Sequence, residues 1–111
     1  MRIDTMFGSY DGIYLKVGKY LADNSMSIQA WNMEDGPIAT LTVCLDDHKL
    51  GRNEVYLDTN NCPWALEFIV NNRLGDVTGK SKQSGYCLNP AVRFDMNVLR
   101  KIERKMGDED V

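Results

Sequence analysis

Apolar and polar residues alternate with a period of two through much of the N-terminal half of the chain. The alternating segments are 13–17, 26–31, 38–45 and 54–59. In the first of them, Ile13, Leu15 and Val17 alternate with Tyr14 and Lys16. This period is typical of strands that bury one face. Because short turn-like segments separate the strands, the sequence predicts an antiparallel meander.

The spacing becomes helical after residue 64. Apolar residues recur three and four positions apart over 65–70, which predicts an amphipathic helix. Asn60 or Asn61 is predicted to cap this helix through its side-chain oxygen, and Pro63 suits its first turn. Gly75 is predicted to end it in a left-handed conformation, which glycine adopts at little cost.

The C-terminal part of the chain mixes polar and apolar segments. Residues 76–84 are predicted to form a mobile polar loop. Residues 86–94 are predicted to be a short strand, in which Pro90 favours an edge position or a bulge. Asp95 is predicted to cap a last helix over 96–106. Four apolar residues form the predicted buried stripe of that helix: Met96, Leu99, Ile102 and Met106.

These elements predict one α+β domain over residues 1–106, in which an antiparallel sheet of four or five strands packs against two helices. A length of 111 residues suits one domain. Residues 107–111 are predicted to be a disordered acidic tail. The sequence contains no apolar run of about 18 residues and no export signal is recognised, so we expect no membrane span and a cytoplasmic location.

The net charge of −3 is unevenly distributed. Residues 1–60 carry five basic and nine acidic residues, a balance of −4, whereas residues 73–105 carry eight basic and three acidic residues, a balance of +5. The sequence therefore predicts an acidic side and a basic side, although basic residues at 100–105 also suit a solvated helix face. The candidate partner-binding residues are the charged ones Glu34, Asp35, Asp46, Asp47, Lys80, Lys82, Arg100, Lys101, Arg104 and Lys105.

The residue types that usually carry catalysis or bind metals are few in this sequence. Cys44, Cys62, Cys87 and His48 lack the paired spacing of a zinc knuckle. Cys62 and His48 have the residue types of a nucleophile and its base, but no spacing or motif in the sequence supports such a pair. The GDVTGKS stretch is one residue short of the spacing of a phosphate-binding loop. We therefore expect no enzyme activity, no catalytic residue, no cofactor and no metal, and we interpret Cys62 as structural.

Several short motifs in the C-terminal half resemble those of an uncharacterised family of small proteins from phages, conjugative plasmids and other mobile elements of bacteria. The motifs are Tyr-Leu-Asp-Thr-Asn-Asn at 56–61, Leu-Gly at 74–75, Thr-Gly at 78–79, Ser-Gly-Tyr at 84–86 and Phe-Asp at 94–95. The resemblance implies no catalytic residue. It implies a genetic context among accessory genes, which include genes that counter host defences such as CRISPR–Cas nucleases.

The charge distribution and this resemblance lead to one functional hypothesis and one alternative. The hypothesis is a non-enzymatic, protein-binding inhibitor from a mobile element, an anti-CRISPR protein that acts on a Cas9-type nuclease in the bacterial host. The alternative is a nucleic-acid-binding accessory protein of a phage or conjugative element, which uses Lys80, Lys82 and the basic C-terminal helix. Both hypotheses leave the oligomeric state open.

Overall fold

Nine strands and two helices form the part of the chain described by the computed structural model, which is residues 1–6, 8–21, 25–45 and 49–101. The strands are β1 (Ile3–Thr5), β2 (Gly8–Tyr10), β3 (Tyr14–Lys19), β4 (Met26–Asn32), β5 (Gly36–Thr40), β6 (Thr42–Val43), β7 (Glu54–Leu57), β8 (Gly75–Ser84) and β9 (Cys87–Phe94). The helices are α1 (Ala65–Asn71) and α2, described over 96–101.

Every strand pair is antiparallel, which confirms the predicted α+β class and the antiparallel pairing. The strands are divided among three sheets, with the orders β1–β2, β3–β4–β5 and β6–β7–β9–β8. The described residues therefore contain more strands than the four or five that were predicted, and these strands form three sheets instead of one. The β1–β2 hairpin was not predicted, because each of its strands is only three residues long.

One alternating segment, 38–45, was predicted as a single strand but forms two strands in different sheets. Leu41 separates β5 from β6, and its side chain is fully buried. The Leu41 N–H donates to the carbonyl of Ile28 in β4 at 2.8 Å, and its carbonyl accepts from the N–H of Asp58 after β7, also at 2.8 Å. This residue therefore joins the three-stranded sheet to the four-stranded sheet through its backbone.

The start of α1 differs from the prediction. The N-cap residue is Trp64, and no side chain makes the capping hydrogen bond. The side chains of Asn60 and Asn61 therefore do not cap the helix. Asp58 instead holds the preceding turn, because its side chain accepts from the Asn61 N–H at 3.3 Å and its carbonyl accepts from the Cys62 N–H at 2.8 Å.

The end of α1 also differs from the prediction. Arg73, with φ 56°, is the residue in the left-handed conformation, and Gly75 is the first residue of β8. A Cβ at Gly75 would lie 2.5 Å from the carbonyl oxygen of Arg93 in β9. Glycine is therefore required at this position because two strands approach closely there, and not because the helix ends there.

Residues 76–84 form most of β8, where the sequence predicted a mobile loop. This strand pairs with β9 from Gly75–Phe94 to Ser84–Cys87, so its polar side chains lie on a strand of a hairpin. Pro90 lies in β9, an interior strand, and the predicted edge position is wrong. The predicted irregularity is present on the opposite strand, since the register shifts between Val77 and Ser81 of β8.

Asp95 caps α2 as predicted. Its Oδ1 atom accepts hydrogen bonds from the N–H groups of Asn97 at 3.0 Å and Val98 at 3.3 Å. Leu99 of the predicted buried stripe is buried, and Met96 packs against the core. The other two members of that stripe, and the predicted tail, lie outside the described residues.

One apolar core connects the two larger sheets and both helices. Its largest fully buried side chains are Ile3, Leu15, Ile28, Leu41, Leu57, Ile69, Leu74, Leu99, Val55 and Val92. On β3 and β4, the buried core side chains are Leu15, Ile28 and Ala30, of which Leu15 and Ala30 pair directly. Since successive residues of a strand point to opposite faces, Tyr14 and Trp31 lie on the other face of that sheet.

Candidate interaction surfaces

An aromatic row crosses the outer face of the three-stranded sheet. Tyr14 of β3 lies opposite Trp31 of β4, and Trp31 lies opposite Pro37 of β5. Both aromatic side chains are half-buried and Pro37 is exposed. Directly opposed residues in an antiparallel pair bring their Cβ atoms within about 5 Å, so these three side chains lie side by side across the sheet and are here called the aromatic row. The register of β4 and β5 shifts at this point, between Ala30 and Trp31.

A polar row, formed by Lys16, Gln29 and Thr40, lies beside the aromatic row on the same face. The Lys16 Nζ atom lies 3.7 Å from the centroid of the Trp31 ring, which is a cation–π contact. The Trp31 Nε1–H donates to Gln29 Oε1 at 3.1 Å. These two contacts fix the indole and place a cation on one of its faces.

Acidic residues gather beside the aromatic row, at the end of the sheet where β4 turns into β5. Buried Asn32 organises this turn, since its Oδ1 accepts from the Asp35 N–H at 2.6 Å. The Asn32 Nδ2 group donates to Asp35 Oδ2 at 3.1 Å and to the Asp11 carbonyl at 3.4 Å. Asn32 thereby brings Asp11 and Asp35 to the same end of the sheet, with Glu34 between Asn32 and Asp35 in the turn.

The β1–β2 hairpin adds another carboxylate to this end. Asp4 Oδ1 accepts from Ser9 Oγ at 2.6 Å and from Arg2 Nε at 2.9 Å, and these hydrogen bonds lower the pKa of Asp4. A second nitrogen of Arg2 lies 3.9 Å from Asp11 Oδ1. We call Asp4, Asp11, Glu34 and Asp35 the acidic end, which contains four carboxylates and one guanidinium.

The two predicted residues at this end have different surroundings. The Asp35 carboxylate holds the turn through Asn32. Glu34 is exposed at the turn, and its carboxylate makes no hydrogen bond or ion pair with the described residues. Glu34 is therefore available to a partner, whereas a change at Asp35 would also disturb the turn. Asp46 and Asp47 lie outside the described residues.

The basic side contains a buried ion pair that the sequence did not reveal. Lys80 Nζ lies 2.8 Å from Glu54 Oε1, and the Glu54 side chain has 0% exposure while the Lys80 side chain has 48%. The Gly51 N–H donates to the same Glu54 oxygen at 2.7 Å. The other oxygen, Oε2, has no hydrogen-bond partner among the described residues.

The surroundings of Glu54 favour its charged form. Burial alone would raise the pKa of Glu54, but hydrogen bonds from Gly51 and Lys80 and the charge of Lys80 lower it to about 2. Lys80 also donates to the Lys49 carbonyl at 3.3 Å. The ammonium group of Lys80 is therefore committed to internal partners, and its candidate role in binding is secondary.

The other predicted cations are distributed over two elements. Lys82 Nζ donates to the Leu45 carbonyl at 3.4 Å. Arg100 and Lys101 are exposed on α2 and make no hydrogen bond or ion pair with the described residues. Lys80 and Lys82 share β8, whereas Arg100 and Lys101 lie on α2. Arg104 and Lys105 lie outside the described residues.

Cys62 has the surroundings of a core thiol. It is 4% exposed, and its Sγ donates to the Thr40 carbonyl at 3.4 Å. Burial, together with the charge of Asp58, raises the pKa of Cys62 to about 11, which disfavours the thiolate that nucleophilic and metal-binding cysteines use. Cys44, Cys62 and Cys87 form no disulfide. No group of three potential metal ligands occurs among the described residues, and His48 is outside them.

Sequence reasoning missed the two features that define these surfaces, the aromatic row and the buried partner of Lys80. The signal for the first was present, because period-two alternation places Tyr14 and Trp31 opposite the buried residues of their strands. Glu54 gave no signal, because a glutamate at the start of a strand usually faces solvent.

Comparison with known proteins gives one match. A family model described as a domain of unknown function (DUF4313) matches residues 14–110. No curated protein and no solved structure matches the chain. The matched region begins at Tyr14 and therefore contains the aromatic row and the Lys80–Glu54 pair. Within the described residues, no helix has the length and apolar character needed to cross a membrane.

Proposed function

The chain belongs to the DUF4313 family, a domain of unknown function, and we propose that this member is a non-enzymatic protein that binds and inhibits a host protein. The observation that carries the proposal is the position of the acidic end beside the aromatic row. Aromatic side chains surrounded by charged groups are a common composition of protein–protein interfaces, in which tyrosine and tryptophan contribute much of the binding energy.

The charge of this surface favours a basic partner surface. Four carboxylates lie at the end of the three-stranded sheet that borders the aromatic row, and Arg2 is the cation that contacts Asp4 and Asp11 there. Complementary charge speeds the encounter of two proteins and selects the partner. A partner that itself binds nucleic acid offers basic grooves of this kind, and an acidic protein would occupy such a groove in place of the phosphates.

We further propose that the protein comes from a bacterial mobile element and that its partner is a Cas9-type nuclease. The motifs of the C-terminal half resemble those of a mobile-element family, which supports an origin on a phage or plasmid and action in the cytoplasm of a bacterial host. A Cas9-type nuclease holds its guide–target heteroduplex in a positively charged channel, so it fits the charge of the acidic end. In this form the protein is an anti-CRISPR inhibitor.

The test is a nuclease cleavage assay in which this protein is titrated against a Cas9-type enzyme, its guide and a target plasmid. We expect Glu34→Lys to weaken inhibition at least about tenfold, because it reverses an exposed charge of the acidic end that is unpaired among the described residues. The matched control is Glu67→Lys, which makes the same charge change on an exposed position of α1. Absence of inhibition by the wild type, or equal loss in both variants, would contradict the proposal.

A second candidate function, binding to nucleic acid, rests on exposed cations of the C-terminal half. Arg93 on β9 and Arg100 and Lys101 on α2 are exposed, whereas the charge of Lys80 is already paired with Glu54. This arrangement supports binding to nucleic-acid phosphates. Affinity for DNA or RNA that falls steeply with salt, together with no effect on nuclease activity, would favour this candidate.

A further inference from the structure

We propose that the aromatic row is a site for an arginine side chain of the partner protein, with Trp31 as the stacking surface and the acidic end as the electrostatic anchor. This inference rests on the proposed function in one respect, which is that the partner is a protein with a basic surface. It adds the chemical group that the surface recognises.

The first observation is that a cation already occupies one face of Trp31. The Lys16 ammonium lies 3.7 Å from the ring centroid, although Lys16 is exposed and its long side chain has alternatives in solvent. The ring therefore has a face that accepts a cation, and Gln29 holds the indole edge so that this face keeps its orientation.

The second observation is the shape of the row, which favours arginine over lysine. Tyr14, Trp31 and Pro37 lie side by side across three strands and give an extended apolar strip. A planar guanidinium stacks on aromatic faces while its edge N–H groups stay available for hydrogen bonds. An ammonium group lacks this flat surface, so it gains less from a strip of rings.

The third observation is the negative charge beside the strip, at the turn from β4 to β5. Glu34 is exposed there, and its carboxylate makes no hydrogen bond or ion pair with the described residues. The N–H groups of a guanidinium stacked on Trp31 would find this carboxylate as an acceptor. The same charge repels phosphates, so the acidic end favours a basic protein segment over a nucleic-acid strand.

The position of Lys16 gives a specific consequence. Lys16 competes with an incoming cation for Trp31 and also repels it, so Lys16→Ala should bind an arginine peptide more tightly. Lys19→Ala is the matched control, because it removes the same charge from an exposed position of the same strand without a cation–π contact. A surface that bound phosphates would respond in the opposite direction, with weaker binding in Lys16→Ala.

The experiment is a fluorescence titration with hexa-arginine, with hexalysine as the comparison peptide. Trp64→Phe serves as the background, since it leaves Trp31 as the single tryptophan and preserves the ring that packs edge-to-face on Phe68. We expect hexa-arginine to change the Trp31 emission and to bind more tightly than hexalysine. We expect Lys16→Ala to tighten hexa-arginine binding about threefold relative to Lys19→Ala, the size of one exposed cation–π contact.

A second variant measures the contribution of the ring itself. Trp31→Leu, followed by calorimetry, should weaken hexa-arginine binding about tenfold while the far-ultraviolet circular dichroism stays that of the wild type. Weaker arginine binding in Lys16→Ala, or equal changes in Lys16→Ala and Lys19→Ala, would overturn the inference. Quenching of Trp31 by an oligothymidine instead of hexa-arginine would also overturn it, and would assign the face to nucleic acid.

The inference and the proposed function fail in different ways. If hexa-arginine binds at Trp31 but no nuclease is inhibited, the arginine site stands and the inhibitor proposal is wrong. If the protein inhibits a nuclease and Trp31→Leu inhibits equally well, the inhibitor proposal stands and the arginine site is wrong.

Discussion

Charged side chains lie both at the acidic end of the three-stranded sheet and around Lys80 on the four-stranded sheet, but the two regions differ in whether these charges are paired within the chain. At the acidic end, Glu34 is exposed and makes no hydrogen bond or ion pair with the described residues. On the other sheet, the charge of Lys80 is neutralised by Glu54, whose side chain is completely buried. A charge that is already paired within the chain, such as that of Lys80, is therefore a poor indicator of a binding surface. An exposed charge that is unpaired among the described residues, such as that of Glu34, is a better one.

The same comparison explains why the net charge of each sequence segment did not correctly predict which charges are available on the surface. The basic balance of the C-terminal half included Lys80 as an available cation. Its buried partner is Glu54, which belongs to the acidic half of the sequence. Pairing between distant segments therefore reduces both predicted patches, and the remaining surface charge depends on the fold.

The largest expected effect is on stability and concerns Lys80. Lys80→Met should lower the free energy of unfolding by about 3 kcal/mol, because it leaves the buried Glu54 charge without its cation. This is the low end of the range for broken buried pairs, since the Lys80 side chain is 48% exposed. Chemical denaturation measures the change, with Lys101→Met on α2 as the control, which should shift stability by less than about 0.5 kcal/mol.

If the two lysine variants lose equal stability, the Lys80–Glu54 pair is an ordinary surface contact. The contrast between the two sheets would then be wrong.

The second effect is a pH dependence that comes from Glu54. Its pKa is about 2 in the folded protein and 4.5 ordinarily, so the stabilisation is complete above about pH 4.5 and is lost as the pH falls toward 2. We expect this group to contribute about 2–3 kcal/mol to the loss of stability across that window. The measurement is the free energy of unfolding of wild type and Glu54→Gln between pH 2 and 6.

The variant should lose less stability on acidification than the wild type does. If the free energy of unfolding depends on pH equally in both proteins, then Glu54 does not contribute to the loss of stability at low pH.

The third effect concerns Asn32, the buried polar residue of the three-stranded sheet. Asn32→Ala should cost about 1–2 kcal/mol, because the Asp35 N–H and carboxylate lose their partner at the turn. Thermal unfolding of the wild type and of Asn32→Ala measures this loss of stability. Binding of the partner should weaken as well, since Asn32 positions the acidic end. Unchanged stability would indicate that the turn is held by Gly36, whose φ of 75° suits the turn by itself.

The smallest effect on stability is expected at Glu34. Glu34→Lys should change the free energy of unfolding by less than about 0.5 kcal/mol, because the carboxylate is exposed and makes no hydrogen bond or ion pair with the described residues. The same variant should show the largest loss of inhibition. A strongly destabilised Glu34→Lys protein would mean that Glu34 belongs to the turn, as Asp35 does.

Local patterns were sufficient for several features of the fold. Alternation predicted β3, β4 and β7, helical spacing predicted α1, and Asp95 was recognised as a cap because its role depends on its own neighbours. The features that were missed depend on distant residues. Gly75 was assigned to a helix end because its close contact with Arg93 is not visible along the chain.

The predicted mobile loop failed for the same reason. Its polar composition is typical of loops, but β9 supplies pairing partners from Cys87 to Phe94 and the segment is extended. For the candidate site, the sequence predicted turn-like segments between the strands, and Glu34 and Asp35 lie in one of these turns. It could not show that Asp11 lies beside them, because that proximity depends on the buried Asn32.

The most direct test of the contrast between the two sheets is a titration of the ¹⁵N-labelled protein with hexa-arginine, followed by amide chemical shifts. We predict that the largest shifts occur at Tyr14, Lys16, Trp31 and Glu34, and that the amides of Glu54 and Lys80 stay within the experimental error. Equal shifts on both sheets, or shifts confined to β8 and β9, would contradict the assignment of the interaction surface to the three-stranded sheet.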